Sequence, residues 1–428
     1  MTLEDIAQFA LHESTSCIYP WVMDKGEFYR NARSDLSGPL AGVRVIDATT
    51  AWAGPMASCL LADYGADVIR VAMPGDQGLQ WKPHIGFSRS FAEETVNRNK
   101  RSVAIDLRKP EGAEAFLQMV GSADVVVENF KPGTLDSWGV GYGDCQIVKP
   151  DIVYLSVSGW GQFGPHSDRP GYDPGALAHS GWMALNGDKN GPPTKAPTFL
   201  ADDLSGLHGA LGVLAALHHR DATGEGQHVD VSLLDSIIYQ SNGYLALGAA
   251  GESLQRWGSE VMVCAPTNCY ECDDGYVFLA LILDSHWVRL TEVLGRPELG
   301  HDPRYSTNEN RVEHRSAVDA LVAEWCRERS QDEVVSAIDA AGIVISAVNS
   351  FADAAVDPHV LERDLLQETK LVDGSTALLT GPAAKFSRTP VGVRHGAPLP
   401  NQHTDEILEQ VGVTREQLDE LRRAGIID

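Results

Sequence analysis

The sequence predicts an α/β protein built on a parallel sheet, with a smaller α+β part set into the chain. Three observations carry that prediction. Short apolar, β-branched runs recur at 43–47, 67–71, 103–106, 124–128 and 151–156, with helical patterns between them. The stretch 43–71 reads as strand, helix, strand, the right-handed crossover unit of a parallel sheet. Near residue 255 the texture changes to a loop-like stretch, then one strand and several helices.

Taken in order, residues 1–37 form a preface. A short helix over 3–12 and an apolar run at 19–23 suit an arm packed on the body or on a partner subunit. Gly54-Pro55 opens the first helix, with proline where a helix N-terminus tolerates it. Met56, Leu60, Leu61 and Tyr64 share one face, and Gly65 ends the helix. A second helix is predicted over 111–120. The strand at 151–156 runs into Ser158-Gly159-Trp160-Gly161-Gln162-Phe163-Gly164-Pro165, then Arg169-Pro170-Gly171-Tyr172-Asp173. A helix follows over 173–185, then a Gly/Pro-rich loop to 197. The helix at 202–219 is headed by Asp202 and Asp203, read as caps favoured by the helix dipole. Leu204, Leu207, Leu211, Leu214 and Leu217 are its expected core face. A strand at 227–232 and a helix at 235–249 close the first part. The smaller part holds a strand at 276–283, a helix at 285–294 and two helices within 313–341. The tail is read as 344–348, then a helix to 366, a β-rich piece at 371–386 and a helical end at 404–425. The expected division is 1–37 (extension), 38–250 (large domain), 255–345 (small α+β domain) and 346–428 (return to the large domain).

Composition excludes several classes. The 428-residue chain is 43% hydrophobic and carries a net charge of −25. Such an acidic chain with no basic stripe is a poor nucleic-acid binder, and any bound polyanion needs local positive charge. No run of 18 apolar residues and no signal-peptide pattern occur, so a soluble, cytoplasmic, non-membrane protein is expected. Seven cysteines argue against a disulfide framework. Cys264, Cys269 and Cys272 have one iron–sulfur spacing, but the fourth ligand is missing nearby, and structural thiols are the reading.

The glycine-rich stretch after the strand at 151–156 is the centre of the functional reading, since open α/β sheets place ligands beyond the carboxyl ends of their strands. Gly159-x-Gly161-x-x-Gly164 matches the dinucleotide fingerprint only formally. Pro165 follows and no helix begins there, so no nucleotide redox cofactor is expected. Asp173 stands at a helix start, where a plain N-cap is the simple role and a carboxylate nucleophile the functional one. The first strand-to-helix loop, Thr50-Ala51-Trp52-Ala53, has small residues beside a helix N-terminus and suits a phosphate or carboxylate. Asn99, Lys100 and Arg101 supply donors that suit phosphate, and Lys131 sits near another strand end.

These motifs together resemble the family III CoA-transferases, the group of formyl-CoA and carnitine-CoA transferases and α-methylacyl-CoA racemases. The stretches are 40–47, Ala53-Gly54-Pro55, Asn99-Lys100-Arg101-Ser102, 127–133, 158–165, Gly171-Tyr172-Asp173, Thr223-Gly224-Glu225-Gly226-Gln227 and 402–408. The likeness spans about 38–428. It implies a Rossmann-like large domain made of both chain ends, an inserted small domain, and a homodimer of interlocked rings. It places the nucleophile at Asp173. A carboxylate, with its ordinary pKa of about 3.9, is ionised at neutral pH and attacks a thioester without a base. The implied course is an aspartyl anhydride, then an aspartyl-CoA thioester, then transfer to an acceptor carboxylate. A thioester is exchanged for a thioester, so neither ATP nor metal is required. The resemblance puts CoA across Thr50, Ala51, Trp52, Ala53, Asn99, Lys100, Arg101 and Lys131. The amides of Gly159 and Gly161, assisted by Gln162, are the expected oxyanion donors, each typically worth about 2.7–4 kcal/mol. The alternative, a 2-methylacyl-CoA racemase, needs a histidine partner, and the chain has Tyr142-Gly143-Asp144-Cys145 where racemases carry it. A non-catalytic CoA-binding subunit is the third reading. Acyl-pocket residues are expected within 84–98 and 182–200.

Overall fold

A computed structural model describes residues 23–81 and 90–428. The expected helix at 3–12, most of the apolar run at 19–23, and positions 84–89 of the expected acyl pocket lie outside them. Contacts divide the chain into two compact units. One holds the described residues up to 182 together with 196–249 and 356–428; the other holds 183–195 and 250–355.

The larger unit is organised on a six-stranded parallel sheet in the order β3-β2-β1-β4-β5-β6. Its strands are β1 (Arg44–Ala48), β2 (Asp67–Ala72), β3 (Arg101–Ala104), β4 (Val125–Glu128), β5 (Val153–Ser158) and β6 (His228–Ser232). Both faces of β4 and β5 are buried, which is why their runs are continuously apolar rather than alternating. The helices used below are α1 (Ala53–Asp63), α2 (Phe91–Asn97), α3 (Pro110–Val120), α4 (Tyr142–Val148), α5 (Asp173–His179), α6 (Leu200–Thr223) and α7 (Leu233–Tyr239). Ile46, Val103, Phe116, Val126 and Tyr154 join Ile407, Leu408 and Ile427 in one core, so both chain ends build this unit. The ends are stitched by backbone bonds: His403 N–H donates to the Ser102 carbonyl (3.0 Å), and Ile105 bridges Ile427.

The smaller unit carries an antiparallel sheet, β7 (Thr267–Glu271), β8 (Tyr276–Ala280) and β9 (Val344–Ala347). Its core includes Trp287, Leu290, Val318, Val322 and Ile338. The run at 344–348, read as the start of the returning tail, is β9 of this sheet, and the chain rejoins the larger unit only at Val356. The β-rich tail piece is a hairpin, β10 (Leu366–Lys370) and β11 (Thr376–Thr380).

Several expected helices are broken by backbone that no right-handed helix holds. The predicted helix 173–185 stops at His179, with Gly181 at φ 87°, and 235–249 is interrupted by Asn242 and Gly243, both at positive φ. The face of α6 also differs from expectation. Leu207 and Leu211 are 51% and 60% exposed. The side turned to the sheet and α1 is small: a Cβ on Gly206 would come within 2.8 Å of Met56, on Gly209 within 2.9 Å of Leu155, and on Gly212 within 2.8 Å of Val229. Helix α6 is long and apolar enough to cross a membrane, and a small-residue stripe docks it on the parallel sheet. Cys264, Cys269, Cys272 and Cys326 are free, and no group of three or more His, Cys, Asp or Glu poised for a metal occurs among the described residues.

Candidate active site

Strand order reverses between β1 and β4, and the chain leaves both strands in opposite directions there. That opens a crevice at the carboxyl ends, the place where doubly wound sheets hold ligands. The loop after β1 and the loop after β4 form its lips. Asn129 clasps them: its amide donates to the Thr50 carbonyl (2.7 Å) and its Oδ1 accepts from Thr50 N–H (2.8 Å). The clasp holds Ala51 at φ 60°. Gly54 is required here, because a Cβ would stand 2.7–2.8 Å from Thr49 and Asn129.

Two adjoining cavities occupy the crevice and share Thr50, Ala51 and Phe130. The first, about 430 Å³, runs over the ends of β1, β2 and β3 and is lined by Val71, Ala72, Met73 and Pro74. Arg70 on its wall is already paired with Asp76 (2.6 Å) and Glu93 (3.2 Å). The second, about 320 Å³, is lined by Thr50, Ala51, Trp52, Ala53, Lys131, Gly159, Trp160, Arg169, Tyr172 and Asp202. The structure therefore brings six predicted residues, Thr50, Ala51, Trp52, Ala53, Lys131 and Gly159, onto one wall.

Asp173 is buried, 2% exposed, and does not itself line the cavity; its chain neighbour Tyr172 and Asp202, next to its partner Ala201, do. It is the first residue of α5 rather than its N-cap, which is Tyr172. Its Oδ1 accepts from Ala201 N–H (2.7 Å), so the N-terminal end of α6 secures the carboxylate. The approach of 171–173 to the sheet depends on two glycines. A Cβ on Gly159 would lie 2.5 Å from Gly171 Cα, and one on Gly171 would lie 2.4 Å from Gly159 Cα.

Asp202 and Asp203 in the first turn of α6 are not caps; the N-cap is Phe199, without a side-chain bond. Asp203 Oδ1 accepts from the Trp52 indole (2.7 Å). Burial, then the charge of Asp173, then that of Asp203 push the Asp202 carboxyl up to about 7. Sequence reasoning missed this neighbour. Its only sequence signal was an acidic pair at a helix start, which capping explains equally well.

Other predicted residues stand elsewhere. Lys100 is fully buried, with its ammonium bonded to Asp47 (2.7 Å), Asn97 (2.9 Å) and the Pro55 carbonyl (3.0 Å). Arg101 is forked onto Asp67 (2.9 and 2.7 Å) and reaches Glu406 (3.0 Å). Asn99, at φ 62°, donates to Asp63 (2.8 Å) and the Gly392 carbonyl (3.0 Å). Asn99 and Arg101 bracket the sheet edge to the C-terminal segment, Lys100 ties β1 to α1 and α2, and these donors bond the protein itself. Two amides of the glycine loop are also engaged. Gly161 N–H donates to Ser158 Oγ (2.9 Å) and Gln162 N–H to Asp230 Oδ2 (2.9 Å). The Gln162 side chain lines a third, polar cavity of about 240 Å³ with Glu128, Tyr142 and His228, which shares Lys131 with the second. His166 and His179 pack edge-on around Trp160, at 5.6 and 5.1 Å.

Comparison with known proteins bears directly on this crevice. Residues 40–404 match the CoA-transferase family III profile. The β subunit of succinyl-CoA–L-malate CoA-transferase from Chloroflexus aurantiacus is 36% identical over 397 residues, covering 91% of this chain and 98% of that protein. Human succinyl-CoA:glutarate CoA-transferase is 31% identical, covering 94% of each. Among solved structures, a CAIB/BAIF family protein from Brucella suis superposes with a TM-score of 0.78 at 32% identity, over 88% of this chain and 100% of that one. Rv3272 from M. tuberculosis gives 0.77 at 28% identity, over 86% and 99%. With a ligand crevice at the sheet's reversal point and relatives of this extent, the chain belongs to CoA-transferase family III and is an enzyme that transfers coenzyme A.

Proposed function

We propose that the enzyme moves CoA from an acyl-CoA to a carboxylic acid through covalent intermediates on Asp173. The observation that carries this is the placement of Asp173: a carboxylate secured by Ala201 N–H at the head of α6, flanked in sequence by Tyr172 on the cavity wall and beside Asp202 on the same wall. An ionised Asp173 oxygen attacks the thioester carbonyl, the C–S bond breaks, and CoA leaves as thiolate. The thiolate then attacks the aspartyl carbonyl of the mixed anhydride, releasing the first acid as carboxylate and leaving CoA on Asp173. An acceptor carboxylate repeats the two steps in reverse. No net proton, electron or phosphate is exchanged.

Lys131 and Arg169 on the cavity wall are the local positive charge that an acidic protein needs for anionic substrates. The relatives named for succinyl-CoA with malate and with glutarate direct the substrate reading to short dicarboxylic acids, with succinyl-CoA as donor. The racemase alternative gains nothing from His166 and His179, which flank Trp160. The homodimer reading is supported by apolar side chains left open on the larger unit, Leu207, Leu211, Tyr239 and Leu245.

The test incubates the enzyme with succinyl-CoA, quenches with hydroxylamine and maps the modified peptide. A hydroxamate on Asp173 is expected, and its absence overturns the covalent route. Incorporation of solvent deuterium at the α-carbon of a 2-methylacyl-CoA would support the racemase instead. Sedimentation of the free chain checks the dimer.

A further inference from the structure

We infer that Asp202 is the hydrogen-bond donor to the oxygen that gains charge when Asp173 and its substrate react, and that its carboxyl works in the protonated form. The inference rests on the reading of Asp173 as nucleophile.

Four observations carry it. First, Asp202 is on the wall of the 320 Å³ cavity, together with Thr50, Gly159, Trp160 and Tyr172, and the residue before it, Ala201, holds Asp173. Second, two amides of the glycine loop are occupied: Gly161 by Ser158, Gln162 by Asp230. A tetrahedral oxyanion at this wall is thus left with few loop donors, Gly159 among them, and a second donor beside it strengthens the hole. Third, the partners of the neighbouring groups are set. Asp203 holds the Trp52 indole and Ala201 N–H holds Asp173, so Asp202 is the carboxyl of this turn that faces the cavity. Fourth, the charges facing it are Asp173 and Asp203 on the protein side and Lys131 and Arg169 on the cavity wall. Burial and the two nearby carboxylates favour a proton on Asp202 up to about pH 7.

A neutral carboxyl at this point does two things. Its O–H points a donor at the oxyanion of each tetrahedral species, and the proton stays on Asp202 throughout, so the atom balance of the exchange is unchanged. It also spares the incoming carboxylate and the departing thiolate a further negative charge beside Asp173. Ionised, the same group offers no donor and repels both.

The experiment measures kcat/KM for CoA exchange from pH 5.5 to 9 in the wild type, Asp202→Asn and Asp202→Ala, with hydroxylamine trapping on each. The wild-type rate should fall through a titration near pH 7. Asp202→Asn keeps an N–H donor but cannot ionise, so its profile should be flat over that range. Asp202→Ala should lose about 10²–10³-fold at pH 6, as on removal of an oxyanion donor. A wild-type-like fall in Asp202→Asn, or full activity in Asp202→Ala, overturns the inference while a trapped Asp173 leaves the nucleophile standing. No adduct on Asp173 in the wild type removes both.

Discussion

Two clusters of charge meet α1, one through Pro55 and Ser58 and one through its N-cap Trp52, and they are built on opposite rules. At one, Lys100 and Asp47 are both fully buried and paired at 2.7 Å; Asn97 and the Pro55 carbonyl take further ammonium hydrogens, and Ser58 and Thr49 hydroxyls donate to Asp47. Every charge there has a counter-charge. At the other, three carboxyls, Asp173, Asp202 and Asp203, crowd one helix start, and burial and mutual repulsion push Asp202 and Asp203 up. The balanced cluster joins strand to helix. The acidic cluster brings like charges together where the crevice opens, as sites that must handle substrate charge do. Buried charge is thus informative about function where like charges are gathered, and about architecture where opposite charges are paired.

The sharpest break of this comparison is Asp173→Asn. The amide keeps the Oδ1 acceptor for Ala201 N–H but removes the nucleophile. Exchange should fall by at least about 10⁴-fold, the scale on which enzymes lose a covalent group, while the melting temperature is retained or raised because one of three crowded carboxyls no longer carries charge. Residual turnover by a product assay above that level would take the nucleophile away from this residue.

Next in size is Lys100→Met. It leaves Asp47 buried without its cation, and breaking such a pair costs about 3–5 kcal/mol. Urea unfolding should show the loss. The double variant Lys100→Met with Asp47→Leu should recover a large part of it, since an apolar pair restores neutrality. Were Lys100 a CoA contact instead, the single variant would raise KM with little change in stability.

These clusters also show what was legible in the sequence. The sheet was: continuous apolar runs such as 153–157 occur because both faces of β5 are covered, and the first crossover followed from spacing alone. Thr50 to Ala53, Lys131 and Gly159 were found because they stand at strand ends, a position that pattern reading locates well. Partner choice was not legible. Lys100 reaches an aspartate 53 residues earlier, and Asp173 is bonded by an amide 28 residues later. Nothing local separates a lysine bound for a buried aspartate from one bound for a phosphate. The face of α6 was misread for a related reason: leucines were counted, whereas Gly206, Gly209 and Gly212 permit the close approach.

Gly159→Ala sets the two clusters against the scaffold that serves them. A methyl group there meets Gly171 Cα at 2.5 Å, backbone against backbone, with no side chain able to yield. The 171–173 segment must move, carrying Asp173 with it. Stability should drop by up to about 3 kcal/mol, in the range of overpacking, and exchange should fall along with it. An alanine variant with full activity would mean that the contact is slack and that Gly159 serves the ligand instead.

The smallest effect concerns a lone carboxyl that belongs to neither cluster. Glu128, at the end of β4, is 6% exposed, and its Oε2 accepts from Phe130 N–H (2.8 Å). Burial is the main cause that raises its pKa from 4.5 to about 7; Asp136 and Asp230 add to it. The sign follows from linkage. The folded state holds this proton more tightly than the unfolded one, so its contribution is fully present below pH 4.5 and is lost as pH rises through about 7. Glu128→Gln keeps an acceptor for Phe130 N–H and removes the titration. The variant should therefore gain roughly 1–2 kcal/mol over the wild type at pH 8 and almost nothing at pH 4.5, a tenfold difference in proton affinity being worth about 1.4 kcal/mol. Thermal unfolding at the two pH values measures it. Equal differences at both would mean that Glu128 is ionised and compensated, which would place it with Asp47 in the balanced class rather than with Asp202.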